Sequence, residues 1–334
     1  MPPPKNNKKA IRYVMNTPGL EDWIRDFSDH LKANPDKNVV VYPESFATGF
    51  AKVFNLGEGL TFRIVDYKLN ADFLFERKPS KDFYLIIYFY QYTDCSKLWL
   101  KINGRTIVEN EGGNYSSLLM SNSMSEQQLW LAKDTFVKGL TIQLSEEWLA
   151  NRISNTDKVD YKMLRKRDVF QSFLKPKSQK LLNEIFLKSE ESAFPSLYIN
   201  SRVLRLLEIF LDDILKNGLD ASVFPSSGRD VQNILKIEKY LHDNYRSQFP
   251  SINSLSRMAF MSPTKLKQVF KKAFGVTLFE YFQRNRMHKA KSLLQSELYS
   301  VTEVGELLGY QNLSNFSAAF KKEFGVLPRN VKDL

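Results

Sequence analysis

KQVFKKAFGV at 267–276 returns as SAAFKKEFGV at 317–326, 50 residues further on. A period of that length holds one complete supersecondary unit per copy. Each copy follows a short amphipathic stretch, 252–259 in the first and 301–308 in the second, in which Ile252, Leu255 and Met258 correspond to Val301, Val304 and Leu307. That upstream offset is 49 rather than 50, so the second copy carries one extra residue in its turn.

Local signals delimit the helices of each copy. Ser262 and Pro263 supply an N-cap followed by proline at the first helical position, and Gly275 and Gly325 stand where a left-handed C-cap is wanted. Thr277 with Glu280, and Ser300 with Glu303, match the capping box that opens the next helix. Within the second helix of each unit Leu266, Val269, Phe270 and Phe274, or Phe316, Ala319, Phe320 and Phe324, form one apolar stripe. The opposite face presents Thr264, Lys265, Lys267, Gln268, Lys271 and Lys272 in the first unit, and Ser314, Asn315, Ser317, Ala318, Lys321 and Lys322 in the second. A helix of this width fits the DNA major groove. Polar side chains near its start reach base edges, while lysines at its end hold phosphates and set position rather than sequence. Between the units, 277–295 forms a helix of about 27 Å at 1.5 Å per residue, a strut that would set two recognition helices near one DNA turn, about 34 Å, apart.

The charge distribution agrees with that footprint. From Arg229 onward 17 Lys and Arg stand against 9 Asp and Glu, a net +8 of the chain's +11, while the first 228 residues carry 31 against 28. An electrostatic surface for nucleic acid is therefore sought at the C-terminus; a solvated basic face is the plainer reading of charge taken alone.

Taken together, MSPTKLKQVFKKAFGVT, FEYFQRNRMHKAKSLL, VTEVGELLGY and FSAAFKKEFGVLP resemble the AraC/XylS transcription regulators over about 230–334. The resemblance implies a sequence-specific regulator that reads the major groove of a double-stranded operator with both second helices, about 263–274 and 313–324. Thr264, Lys267 and Gln268, then Ser314, Asn315 and Ala318, are the base-facing candidates it implies. Ala318 departs from the longer polar or basic side chain common there in the family, so the second helix is expected to read fewer bases and to lean on phosphate contact and DNA shape. RNA polymerase is an implied partner.

Ahead of this region, 38–144 reads as short strands: 38–42, 60–67, 72–76, 83–91, 98–102, 115–120, 128–132 and 136–144, separated by Gly, Asn and Lys turn clusters. Regular short strands predict a sandwich or small barrel. In 83–91, Phe83, Leu85, Ile87 and Phe89 face one way and Tyr84, Ile86, Tyr88 and Tyr90 the other, so the strand is expected to be central and covered on both sides. Ser145 caps a helix begun by Glu146 and Glu147, and helical spacing runs through 175–216. The expected fold is multidomain, α and β: a tail and helix at 1–37, a β-barrel, cupin-like effector-binding domain at 38–156, a helical connector at 157–219, a linker at 220–229, and an all-α tandem helix-turn-helix domain at 230–334. The name cupin rests on the resemblance. The connector's stripes either pair two subunits into a homodimer or pack within the chain. Phe62, Phe73, Phe75, Tyr84, Tyr88, Tyr90, Trp99 and Trp130 either line a small-molecule effector pocket or fill the core, and most are expected to fill it.

Several function classes recede. No GxxxxGK[ST] or GxGxxG occurs, and neither a catalytic group nor a cofactor is assigned. His30, His242 and His288 all lie outside the strands, so no metal site is expected there. Cys95, the single cysteine, has no histidine in its domain and reads as a buried or incidental thiol, and so low a cysteine count fits a reducing, cytoplasmic compartment. The longest apolar run, Phe83–Tyr90, is too short to span a bilayer, and the first nine residues lack a secretory apolar stretch. A DNA-directed enzyme would require turnover or metal uptake in the β domain, and an architectural protein would bind operator and random DNA alike.

Overall fold

The computed structural model describes residues 10–17, 19–110, 115–153, 161–172, 174, 176–188, 192–217, 228–274, 276–296 and 298–333. The chain divides into two compact units, Met1–Phe224 and Pro225–Leu334. The linker expected at 220–229 spans that division, although 218–227 lie outside the described residues.

The first unit is a layered β structure. One sheet of five strands runs in the order β1 (Ile11–Met15), β5 (Phe73–Arg77), β10 (Gln127–Leu131), β7 (Leu98–Ile102), β8 (Arg105–Asn110). The other runs β12 (Val169–Ser172), β9 (Tyr115–Asn122), β6 (Tyr84–Thr93), β11 (Phe136–Ser145), β4 (Leu60–Leu69), β3 (Ala47–Asn55), β2 (Val39–Val41). Every pairing is antiparallel except β1 with β5. All eight strands read from the sequence are present. β1, β3, β8 and β12 are additional, and β1 with α1 (Leu20–Leu31) makes the supposed N-terminal tail part of the sandwich.

β6 lies inside its sheet, and its two apolar faces have two separate partners. Phe83, Leu85, Ile87 and Phe89 join Leu140, Ile142 and Leu144 of β11 in a core shared with Leu182 and Ile185 of α4 (Pro176–Lys188) and Val203, Leu207 and Phe210 of α5 (Pro195–Asn217). Ile86, Tyr88, Tyr90 and Tyr92 face the space between the sheets. Thus the described helices within 161–217 pack onto the sheet. α4 and α5, with α2 (Glu146–Ile153) and α3 (Tyr161–Lys166), form a helical layer on the seven-stranded sheet, because their apolar stripes find enough hydrophobic surface there to bury. Those stripes are used within the chain, while Leu204 of α5 is 47% exposed. Ser145 caps α2, its Oγ accepting from the Trp148 amide at 3.1 Å.

The second unit is helical: α6 (Gly228–Asp243), α7 (Ile252–Met258), α8 (Pro263–Phe274), α9 (Leu278–Gln295), α10 (Val301–Leu307) and α11 (Leu313–Phe324), followed by a short 3-10 turn at Pro328–Asp333. The repeat appears as α7–α8 and α10–α11, with α9 between them. The turn of the first copy is 259–262 and of the second 308–312, one residue longer, as the shift in offset requires.

Candidate nucleic-acid interface and cavity

The two helix-turn-helix units close their turns with the same bonds. The Phe260 amide donates to the Arg257 carbonyl and Met261 to Ser256; 49 residues on, Gly309 donates to Glu306 and Tyr310 to Gly305. Phe260 and Gly309 both have positive φ, 50° and 76°. Leu266, Phe270 and Phe274 of α8 are buried, as are Phe316 and Phe320 of α11, so each second helix docks through the stripe its spacing shows.

Helix starts are defined by side chains rather than by packing. Ser262 Oγ accepts from the Lys265 amide at 3.2 Å at the head of α8, and Asn312 Oδ1 accepts from Ser314 at 2.7 Å at the head of α11. Thr277 with Glu280 and Ser300 with Glu303 form reciprocal capping boxes. The backbone amides these two carboxylates accept from hold both below the usual range. Gly325 ends α11 in the left-handed region at φ 80°. Gly275 lies outside the described residues.

The outer faces are left to solvent. Thr264, Lys265, Lys267, Gln268 and Lys271 are exposed on α8, and Ser314, Asn315, Ala318, Lys321 and Lys322 on α11; Ser317 is half-buried, and the Lys272 side chain lies outside what the structure describes. No carboxylate occurs on α8. The single one on α11, Glu323, is turned to α9, where Arg284 Nε lies at 3.7 Å and His288 Nε2 at 3.8 Å. Both outer faces are therefore free of negative charge, as a phosphate backbone requires. His288 keeps most of its side chain in solvent and also meets the Phe324 ring edge-on. Burial lowers its pKa, against the pull of Glu323.

Sequence reading missed the residue that holds the second unit in place. Arg286 of α9 is buried; its Nε donates to the Tyr245 carbonyl at 2.7 Å, its Nη2 donates to the Leu308 carbonyl, and its guanidinium lies between the Phe282 and Tyr310 rings at 5.0 and 4.9 Å. The available signal was a single arginine on the apolar face of an amphipathic helix.

The first unit contains a cavity of about 90 Å³ between its sheets. Of the eight aromatic candidates, Phe73, Phe75, Tyr88 and Tyr90 line it. The other four do not. Phe62 is on the helix-facing side of β4, stacked on Phe54 at 4.6 Å, and Tyr84 sits at the strand end beyond the cavity. Trp99 and Trp130 are paired in register on the outer face of the five-stranded sheet, against Leu74 and Ala132. Strand alternation decides the other three: Leu98 and Leu100, not Trp99, point inward. Gly139 faces Tyr90 across the ladder, and a Cβ there would lie 2.5 Å from its ring, so the glycine makes room for a wall residue.

Two charged wall residues went unread, Arg63 on β4 and Arg77 on β5. Inward alternation of Thr61, Arg63, Val65 and Tyr67 was the signal. Burial opposes the charge on Arg63, but the oxygens of Tyr90, Tyr42 and Tyr88 favour it and the net shift is upward, so the guanidinium remains a cation. Burial raises the tyrosines around it, Tyr42, Tyr67, Tyr92 and Tyr115, and keeps their hydroxyls protonated. Cys95 is fully buried, and burial raises its thiol pKa. Among the described residues no cluster of His, Cys, Asp and Glu is suited to a metal, and no helix is long and apolar enough to cross a membrane.

Residues 255–333 match a family model described as a helix-turn-helix domain, so the C-terminal unit belongs to the helix-turn-helix class. It holds two such units joined by one helix, α9. Among curated relatives, the HTH-type transcriptional regulator YtdP of Bacillus subtilis is 33% identical over 100 residues, which cover 30% of this chain and 12% of that one. The chain thus spans only a small part of that relative's length. Among solved structures, a probable AraC family transcriptional regulator of Rhodopseudomonas palustris covers 30% of this chain and 94% of its own, at 21% identity and a TM-score of 0.28. ToxT of Vibrio cholerae, solved with an unsaturated fatty acid bound, covers 83% of this chain and 96% of its own, at 14% identity and a TM-score of 0.32. Both scores are too low for these likenesses to define a fold by themselves.

Proposed function

We propose that this chain is a sequence-specific, DNA-binding transcription regulator of the AraC/XylS type, reading the major groove with α8 and α11 and controlled by a small molecule bound in the N-terminal cavity. The observation that carries the DNA reading is the repeat itself. Two copies of one helix-turn-helix lie on either side of a capped 18-residue helix, each with a second helix whose outer face holds lysines and small polar groups and no carboxylate. Base-edge contact falls to Thr264, Lys267 and Gln268 and, more weakly, to Ser314, Asn315 and Ala318. Phosphate contact falls to Lys271, Lys321 and Lys322. Within this reading the chain works in the cytoplasm without catalysis or cofactor, has RNA polymerase as a partner, and pairs as a homodimer on operators with two sites.

Selection of bound sequences from a random DNA pool with the full-length protein tests the reading. The expected product is a two-part motif with centres about 10 base pairs apart, the nearer-to-invariant part under α8. Recovery of unenriched DNA bound with equal affinity would replace regulation by architectural binding.

A further inference from the structure

The cavity of the first unit holds a charge that its walls do not balance. Its lining includes two arginines and no Asp, Glu, Lys or His among the described residues. Arg77 has both terminal nitrogens occupied, although its buried Nε has no partner. Its Nη1 donates to Tyr88 Oη at 2.8 Å, and its Nη2 to the Asn122 carbonyl at 2.7 Å, the Ser125 carbonyl at 3.2 Å and Ser121 Oγ at 3.3 Å. Arg63 has fewer and longer bonds. Its Nη2 makes two long contacts to neutral hydroxyls, Tyr90 Oη at 3.2 Å and Thr141 Oγ1 at 3.4 Å, and its buried Nε has no partner. The Trp23 ring of α1 lies 4.1 Å from the guanidinium carbon and steadies it. A guanidinium carries five N–H donors and does not lose its charge in proteins. Left without a counterion in a desolvated site it is costly, and a carboxylate matches its fork with two parallel hydrogen bonds.

We propose that the cavity takes a monoanionic organic acid, its carboxylate seated on Arg63 and its apolar body among the inward-facing rings of β6, β9 and α1. The proposal rests on the reading of this cavity as an effector site and adds the chemical class of the effector. One guanidinium with unused donors matches a single negative charge; a phosphate monoester dianion would call on a second cation, and Arg77 already spends both of its terminal nitrogens. The rest of the wall, Ile86, Leu98, Leu100, Val108 and Leu119 with the tyrosine and phenylalanine rings, suits an apolar body.

The test uses the full chain and titration calorimetry with 4-phenylbutyrate and decanoate, each beside its primary amide, on the natural sequence, Arg63→Gln and Arg63→Lys. At least one acid is expected to bind tenfold or more tightly than its amide. Arg63→Gln should erase that preference and Arg63→Lys should retain part of it. Amides that bind as well as the acids, acid binding unchanged in Arg63→Gln, or no binding of either acid would each overturn the proposal. Should the Gln variant fail to fold, the acid-over-amide ratio of the natural protein and its reduction in Arg63→Lys decide alone. DNA affinity on the selected site, measured with and without the acid, separates the two readings. Arg63-dependent acid binding with unchanged DNA affinity keeps the anion site and removes the effector role. DNA affinity that responds to a neutral compound and to neither acid does the reverse.

Discussion

Arg286 donates from Nε to the backbone carbonyl of Tyr245 at 2.7 Å, and the same guanidinium donates to the Leu308 carbonyl in the turn of the second helix-turn-helix. One buried side chain on α9 thereby joins the segment after α6 to the turn before α11. Burial lowers the Arg286 pKa, the expected cost of removing a cation from water, and the two carbonyls and two flanking rings offset that cost. Arg286→Leu would leave both carbonyls without this donor and should destabilise the C-terminal unit by about 2–4 kcal/mol, read from denaturant unfolding of the full chain. Unchanged stability would show that water replaces the donors without loss.

Gly309 and Phe260 occupy the same turn position in the two copies, and opposite effects are expected from changing them. A Cβ on Gly309 would lie 2.7 Å from the Arg246 carbonyl oxygen at a φ of 76°, so Gly309→Ala should cost at least about 1–2 kcal/mol. Phe260 holds a φ of 50° while 83% exposed, so it carries the left-handed strain with little burial to offset it. Phe260→Gly should therefore raise Tm or leave it level. A fall of several degrees in Phe260→Gly would mean that the exposed ring has a packing role.

On the selected DNA site, Lys267→Ala or Gln268→Ala should cost about 1–3 kcal/mol and relax base preference locally. Lys321→Ala or Lys322→Ala should weaken binding to all sequences alike and lower the salt slope by about one. Competition binding at two salt concentrations checks both, and equal losses on every sequence from both pairs would refute the division of roles.

Glu238 gives a pH prediction with a defined sign. Burial raises its carboxyl above the ordinary 4.5, against the hydrogen bond it accepts from the Tyr281 hydroxyl. The folded state then holds the proton more tightly than the unfolded chain. Its contribution is fully present below pH 4.5 and is lost as pH rises through the raised folded value. Glu238→Gln keeps an acceptor for Tyr281 without the charge. It should raise Tm at pH 7, with the gain shrinking as pH falls toward 4. An equal gain at both pH values would contradict the sign.

Much of the C-terminal unit was legible because its signals are local. A cap, a left-handed glycine and a 3.6-residue stripe each act within a turn or two, so Ser262, Thr277, Ser300 and Gly325 marked the helices before any contact was known. The 49-against-50 offset even located the longer turn. The strands were legible for the same reason, yet β1, β3, β8 and β12 were missed, and β1 illustrates why. Its partner, β5, is about sixty residues away and parallel, a pairing that leaves no turn signal.

Sequence by itself therefore determined the repeat, the helix starts, the solvent-facing lysines and the two-sided character of β6, all consequences of side-chain period and short-range capping. Only the tertiary structure decided which face of each strand meets the cavity. It sent Trp99 and Trp130 outward and Arg63 and Arg77 inward, folded α4 and α5 onto the sheet, and made Arg286 a tie between distant carbonyls. Alternation specifies that a strand has two faces, but the choice between inside and outside is made by which sheet or helix arrives to cover each one, and that is a long-range event.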